Sequence, residues 1–128
     1  MPAKKRAQPS EAELAILRTL WSKGASSVRD VHESLGGDER TRYTTTLKLM
    51  QRMAGKGLVR RDESQRSHVY TATVEEDEVE RALVSSFVNR MFEGSVQKLV
   101  LHALEAGDVS DEELAAIKRQ LKQWGKRK

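Results

Sequence analysis

The sequence predicts a mainly α fold with a small β-hairpin: a winged helix-turn-helix domain followed by an all-helical dimerisation domain. Three observations carry this expectation. Three helical patterns, each closed by glycine, precede residue 58. Two β-rich runs follow, "GLVRRDES" and "SHVYTATV", separated by a polar tip at Ser64, Gln65 and Arg66. From Glu75 onward every apolar pattern has the helical period. The expected organisation is a disordered basic arm at 1–9, a winged-helix DNA-binding domain at 10–74, a helical dimerisation domain at 75–124 and a basic tail at 125–128.

Ser10 opens the first helix as a capping box with Glu13, in which hydroxyl and carboxylate each accept an amide that the helix start leaves unpaired. Leu14, Leu17, Leu20 and Trp21 form its apolar stripe, and Lys23-Gly24 ends it. Ser27 can cap a short second helix bearing Val28, Val31 and Leu35, which Gly36-Gly37 stops. Gly37 to Thr41 supplies a turn. The third helix then spans Arg42 to Ala54, with Gly55 and Gly57 as its stop.

Beyond the hairpin, "EEDEVERALVSSFVNRMF" places Val79, Leu83, Phe87 and Met91 on one stripe, and its leading acids suit the helix dipole. "SVQKLVLHALEAG" carries Val96, Leu99, Val100, Ala103 and Leu104 at helical spacing, with Gly107 as the stop. Ser110 and Glu113 form a second capping box before Leu114, Ile117, Leu121 and Trp124. Three such helices present more apolar face than about 50 residues can bury alone. A second copy is the expected cover. The candidate homodimer face is Val79, Leu83, Phe87, Met91, Val96, Leu99, Val100, Leu104, Leu114, Ile117 and Leu121.

Composition narrows the function. With 128 residues and no cysteine, thiolate metal sites, disulfides and cysteine nucleophiles are excluded. No apolar run approaches the ~20 residues of a membrane span, and no signal-type segment follows the basic N-terminus, so the expectation is a cytoplasmic protein without a membrane partner. Charge is unevenly placed. Residues 1–74 hold 14 Lys and Arg against 8 Asp and Glu, and residues 75–122 hold 6 against 11. A basic half joined to an acidic half points to a polyanion meeting the first alone.

The third helix decides more, because it opens on three threonines, Thr44 to Thr46, which are mediocre helix formers. One phasing would bury Tyr43, Leu47, Met50 and Ala54. The other buries Thr46, Leu49, Met50 and Met53, fits the i, i+3, i+4, i+7 template better and turns bulkier groups inward. That second phasing sends Thr44, Lys48 and Gln51 outward, flanked by Thr41, Thr45, Leu47 and Arg52. Short hydroxylated side chains let a helix start approach base edges, and threonine methyls pack on thymine. Lys48 and Arg52 can neutralise phosphates, and Gln51 can bridge an adenine edge. Arg42 and Tyr43 at the start of this helix, and Lys56 just past its end, complete the candidate DNA-binding set around it. In the hairpin, Arg60, Arg61, Arg66 and His68 make a basic ribbon suited to the phosphate backbone or minor groove, with Arg66 as the chosen contact.

Taken together, "ELAILRTLWSKGASSVRDVHESL", "YTTTLKLMQRMAGKGLVRR" and "HVY" resemble the penicillinase-repressor family of bacterial winged-helix regulators (the BlaI/MecI/CopY group). That family's pattern is carried by Trp21, by Val28, Val31 and Leu35, and by Thr45, Thr46, Leu49, Arg52, Met53, Lys56, Gly57, Leu58 and Val59. "FVNRMFEGSVQKLVLHALEAGDVSDEELAAIKRQL" is similar to the family's dimerisation domain. The resemblance implies a homodimeric repressor on inverted-repeat operators in double-stranded DNA. It also favours the second phasing of the third helix. Resistance-controlling members are released by proteolysis in an "LNF"-like context, where this chain has Leu101-His102-Ala103. Copper-responsive members carry a cysteine cluster that is absent here. The wing tip "ESQRSH" also lacks the glycine often found there.

An enzyme is not expected. His32, His68 and His102 lie in separate elements without ligand spacing, and no phosphate loop or nucleophile motif occurs. No cofactor is implied. The rival to a DNA-binding repressor is a winged-helix module that binds a protein and no DNA, since helix-turn-helix shapes serve both ends.

Overall fold

The computed structural model describes residues 8–36, 43–64 and 66–127. Most of the basic arm, the turn ahead of the third helix and Gln65 lie outside the described residues. The chain divides into two compact units, Met1–Val84 and Ser85–Lys128.

The first unit contains α1 (Glu11–Lys23), β1 (Ser26–Ser27), α2 (Val28–Ser34), α3 (Tyr43–Lys56), β2 (Val59–Asp62), β3 (Val69–Ala72) and the start of α4 (Glu76–Phe92). Sequence chemistry accounts for the helix starts. Ser10 Oγ accepts the Glu13 amide at 3.2 Å while Glu13 Oε1 accepts the Ser10 amide at 2.9 Å. Ser27 and Asp30 make the same reciprocal pair at the head of α2. The third helix runs two residues past its expected end. Gly55 lies within it, a placement that costs only about 1 kcal/mol relative to alanine. The chain turns at Gly57, whose φ of 81° only glycine adopts freely.

The expected hairpin is β2–β3, in antiparallel register with Arg60 opposite Thr71 and Arg61 opposite Tyr70. A third strand was not expected. β1 pairs antiparallel with the other edge of β3, Ser26 opposite Tyr70 and Ser27 opposite Val69, giving the order β1-β3-β2. Two serines carry no strand period, so nothing in the sequence announces it.

Ile16, Leu17, Leu20, Val28, Val31, Met50, Met53, Leu58, Val59, Tyr70, Val74 and Val79 form the first unit's core. Ile16 widens the expected stripe of α1, while Leu14 and Trp21 are half-buried at its margin. Trp21 Nε1 donates to the Val74 carbonyl at 2.9 Å, tying the end of α1 to the segment after the sheet. Leu35, expected on the inner stripe of α2, is exposed because that helix ends at Ser34. One charged side chain enters the interior. The Glu13 carboxylate is 1% exposed and accepts two hydrogen bonds from Lys56 Nζ, at 2.8 and 3.0 Å.

The second unit holds the rest of α4, then α5 (Val96–Ala106) and α6 (Asp111–Lys126). Ser95 Oγ caps α5 through the Lys98 amide, and Ser110 Oγ caps α6 through the Glu113 amide. Phe92 meets Phe87 edge-on and stacks on His102, both with centroids 5.6 Å apart. Neither α5 nor α6 buries a residue fully. Val96, Val100, Leu101, Leu121 (62% exposed) and Trp124 (54% exposed) all present apolar surface. The stripe of α4 is divided. Val79 lies in the first unit's core and Leu83 packs against it, whereas Phe87 and Met91 are exposed. Val79 is therefore a core residue of the first unit and is removed from the candidate dimer face.

Candidate nucleic-acid interface

The phase of α3 is set by what it buries. Met50 and Met53 are fully inside, each removing apolar surface worth about 1.5–3 kcal/mol of transfer free energy. Thr46 lies beside them, and its hydroxyl needs a partner there. It has one in His32 Nδ1, 3.1 Å away on α2. Leu49 is half-buried against the same core. This is the second of the two phasings, although Leu47 and Ala54 also reach the core margin.

Thr44, Thr45, Lys48, Gln51 and Arg52 are consequently exposed. The helix contains no acidic residue, so the face is uniformly neutral or cationic. Helical spacing sets Tyr43, Leu47 and Gln51 along one edge of this face, with Thr45 and Arg52 along the other. Tyr43 is 43% exposed and held from two directions. Its ring meets the His32 ring edge-on at 5.9 Å, and the Arg29 guanidinium lies 6.0 Å from its centroid. Thr41 and Arg42 lie outside the described residues.

The edge bearing Tyr43 and Gln51 opens onto a groove of about 500 Å³ that the hairpin shares. Ser27, Val28 and Arg29 from the start of α2 line it, together with Arg61, Arg66, Ser67, His68 and Tyr70 from the hairpin. Among the described residues no acidic side chain lines it. Three sequence-expected residues, Tyr43, Gln51 and Arg66, thus meet in one place. Arg61 forms an ion pair with Glu63, and the Ser64 amide holds the Asp62 carboxyl below its ordinary range by bonding Oδ1 at 2.9 Å. Both acids of the hairpin's rising strand and tip are thereby engaged locally.

Lys56 does not join this face. It follows Met53 by three residues and Leu49 by seven, on the flank of the buried stripe, and its ammonium is committed to Glu13. Burial pushes the Glu13 carboxyl up, but the Lys56 ammonium and the Ser10 amide outweigh it and hold the group below its ordinary 4.5. Lys56 braces α3 against α1 and leaves the candidate DNA-binding set. Arg29 was missed by sequence reasoning. It lies 14 residues before Tyr43, and the packing of α2 on α3 together with the unannounced pairing of β1 with β3 brings it to the groove.

Residues 9–123 match the family described as penicillinase repressor. The chain belongs to the penicillinase repressor family. Among its relatives, the penicillinase repressor of Bacillus licheniformis is 27% identical over 125 residues, covering 98% of both chains. The transcriptional regulator BlaI of Mycobacterium tuberculosis is 33% identical over 113 residues, 87% of this chain and 80% of that one. A solution structure of the DNA binding domain of the repressor BlaI superposes with a TM-score of 0.51 at 25% identity, covering 59% of this chain and 93% of that one. A MarR family protein from Bacillus stearothermophilus shares the fold over 94% of this chain and 76% of its own, with a TM-score of 0.50 at 21% identity. The penicillinase repressor match spans both units. Among the described residues no helix is long and apolar enough to cross a membrane.

Proposed function

We propose that this chain is a sequence-specific DNA-binding transcriptional repressor, acting as a homodimer on inverted-repeat operators. The observation that carries the reading is the exposed, acid-free face of α3 beside the cation-lined groove of the hairpin. Thr44, Lys48 and Gln51 would enter the major groove, with Thr45 and Arg52 beside them, while Arg66 rests on the backbone. The family membership supports the same reading, as does the likeness of 59% of the chain to the DNA binding domain of the repressor BlaI.

The homodimer is supported by α5 and α6, whose apolar residues are left largely uncovered. Phe87, Met91, Val96, Val100 and Leu121 are exposed, and Leu99, Leu104, Leu114 and Ile117 are half-buried. Two copies would then present two α3 helices to half-sites about one helical turn apart, ~34–36 Å. An inducing signal, with cleavage in the second unit as one route, would release the operator. Leu101-His102-Ala103 lies inside α5, so such a cut requires that helix to open first.

Gel-shift affinity of the intact chain against salt tests the reading. Duplex binding is expected to weaken with a log–log slope near −0.9 for each phosphate neutralised. Binding absent or flat in salt would instead favour a protein-binding module.

A further inference from the structure

We infer that Arg29, whose guanidinium lies over the Tyr43 ring, is a backbone-phosphate anchor that lets α2 and the wing engage one DNA strand together. This rests on the DNA-binding reading above and adds to it a residue from an element so far without a role. The placement comes from β1 and from the packing of α2 on α3. Pairing Ser27 with Val69 holds the first turn of α2 beside the strand that follows the wing tip, so Arg29 and His68 line one groove although 39 positions separate them. Gln51 and Tyr43 enter the same groove from α3, and Arg66 from the wing.

Arginine is the residue suited to this position. Its planar guanidinium can stack on an aromatic ring while its N–H fork remains available to two phosphate oxygens. Tyr43 supplies such a ring at 6.0 Å, and the edge contact from His32 fixes that ring from another side. The ring thus favours this placement of the guanidinium before DNA arrives, which reduces the conformational freedom lost on binding. Among the described residues no ion pair engages Arg29, and the groove lining contributes no acid to compete with a phosphate.

The test is fluorescence anisotropy of the intact chain with a fluorescein-labelled 30-base-pair duplex of mixed sequence, across a salt series. Counterion release makes one phosphate contact worth about 0.9 of a decade at 0.1 M salt. For each protomer bound, Arg29→Ala is therefore expected to cost about eightfold in affinity and to flatten the slope by about 0.9. Arg29→Lys keeps the charge without the planar fork, so its slope should match the parent while its affinity falls between the two. Thermal melting of each variant separates lost binding from lost folding, and at this exposed position the melting temperature is expected to stay put. A steep parent slope left unchanged by Arg29→Ala overturns the inference and spares the DNA-binding reading. A parent whose binding is absent or flat in salt overturns both.

Discussion

Replacing Lys56 by alanine isolates the interaction that braces α3 against α1. The substitution leaves Glu13, 1% exposed, without the ammonium that donates to both of its oxygens. Removing one partner of a fully buried pair costs about 3–5 kcal/mol. Lys56 retains 28% side-chain exposure, so water already screens part of the attraction and the expected cost is about 2 kcal/mol. For a unit of this size that lowers the melting temperature by about 8–16 °C.

The pH dependence sharpens the test. In the parent the Glu13 carboxyl is held below 4.5, so its contribution is fully present above the ordinary carboxylate range and is lost as pH falls through the lowered value. Without Lys56 the upward push of burial has only the Ser10 bonds against it. Neutral Glu13 then becomes the better tolerated form, and the stability gap between parent and variant is expected to shrink below pH 4.5. Denaturant unfolding at pH 7 and pH 3.5 measures both quantities. A gap under 0.5 kcal/mol at pH 7, or one that widens in acid, would refute the reasoning.

Side chains on the exposed face of α3 are expected to divide into two kinds. Thr44→Ala and Gln51→Ala relax discrimination between operator and mismatched duplexes, each by about 1–3 kcal/mol, in competition binding. Lys48→Ala and Arg66→Ala weaken every duplex alike and flatten the salt slope by about 0.9 for each protomer bound. In the second unit, Leu121→Glu places a charge on the proposed dimer face. Light scattering is expected to find the variant monomeric at concentrations where the parent is dimeric, with the first unit's melting unchanged. A parent that is itself monomeric would remove the basis for paired half-sites.

Much of the fold is legible in the sequence because local chemistry and packing agree. Ser10 with Glu13 and Ser27 with Asp30 start helices where their side chains can accept amides, and Gly24 and Gly57 end helices where φ turns positive. The phase of α3 follows from Met50 and Met53, whose spacing from Thr46 leaves one inward arc. What escaped was long-range. A two-residue strand has no period, so neither β1 nor the position of Arg29 could be read. Glu13 resembled a capping residue alone, since its other partner lies 43 positions away. The α4 stripe looked continuous, yet Val79 and Leu83 pack in the first unit while Phe87 and Met91 do not. A periodic pattern identifies a buried side of a helix without saying which body covers each turn of it.

The most direct measurement is photocrosslinking from defined positions. The chain has no cysteine, so single cysteines can carry a benzophenone without background labelling. Gln51→Cys lies on the outward side of α3, and Glu11→Cys is exposed at the start of α1. With operator duplex present, the account predicts DNA adducts from position 51 and none from position 11. Equal adducts from both positions, or none from position 51 under conditions where the duplex is bound, would contradict it.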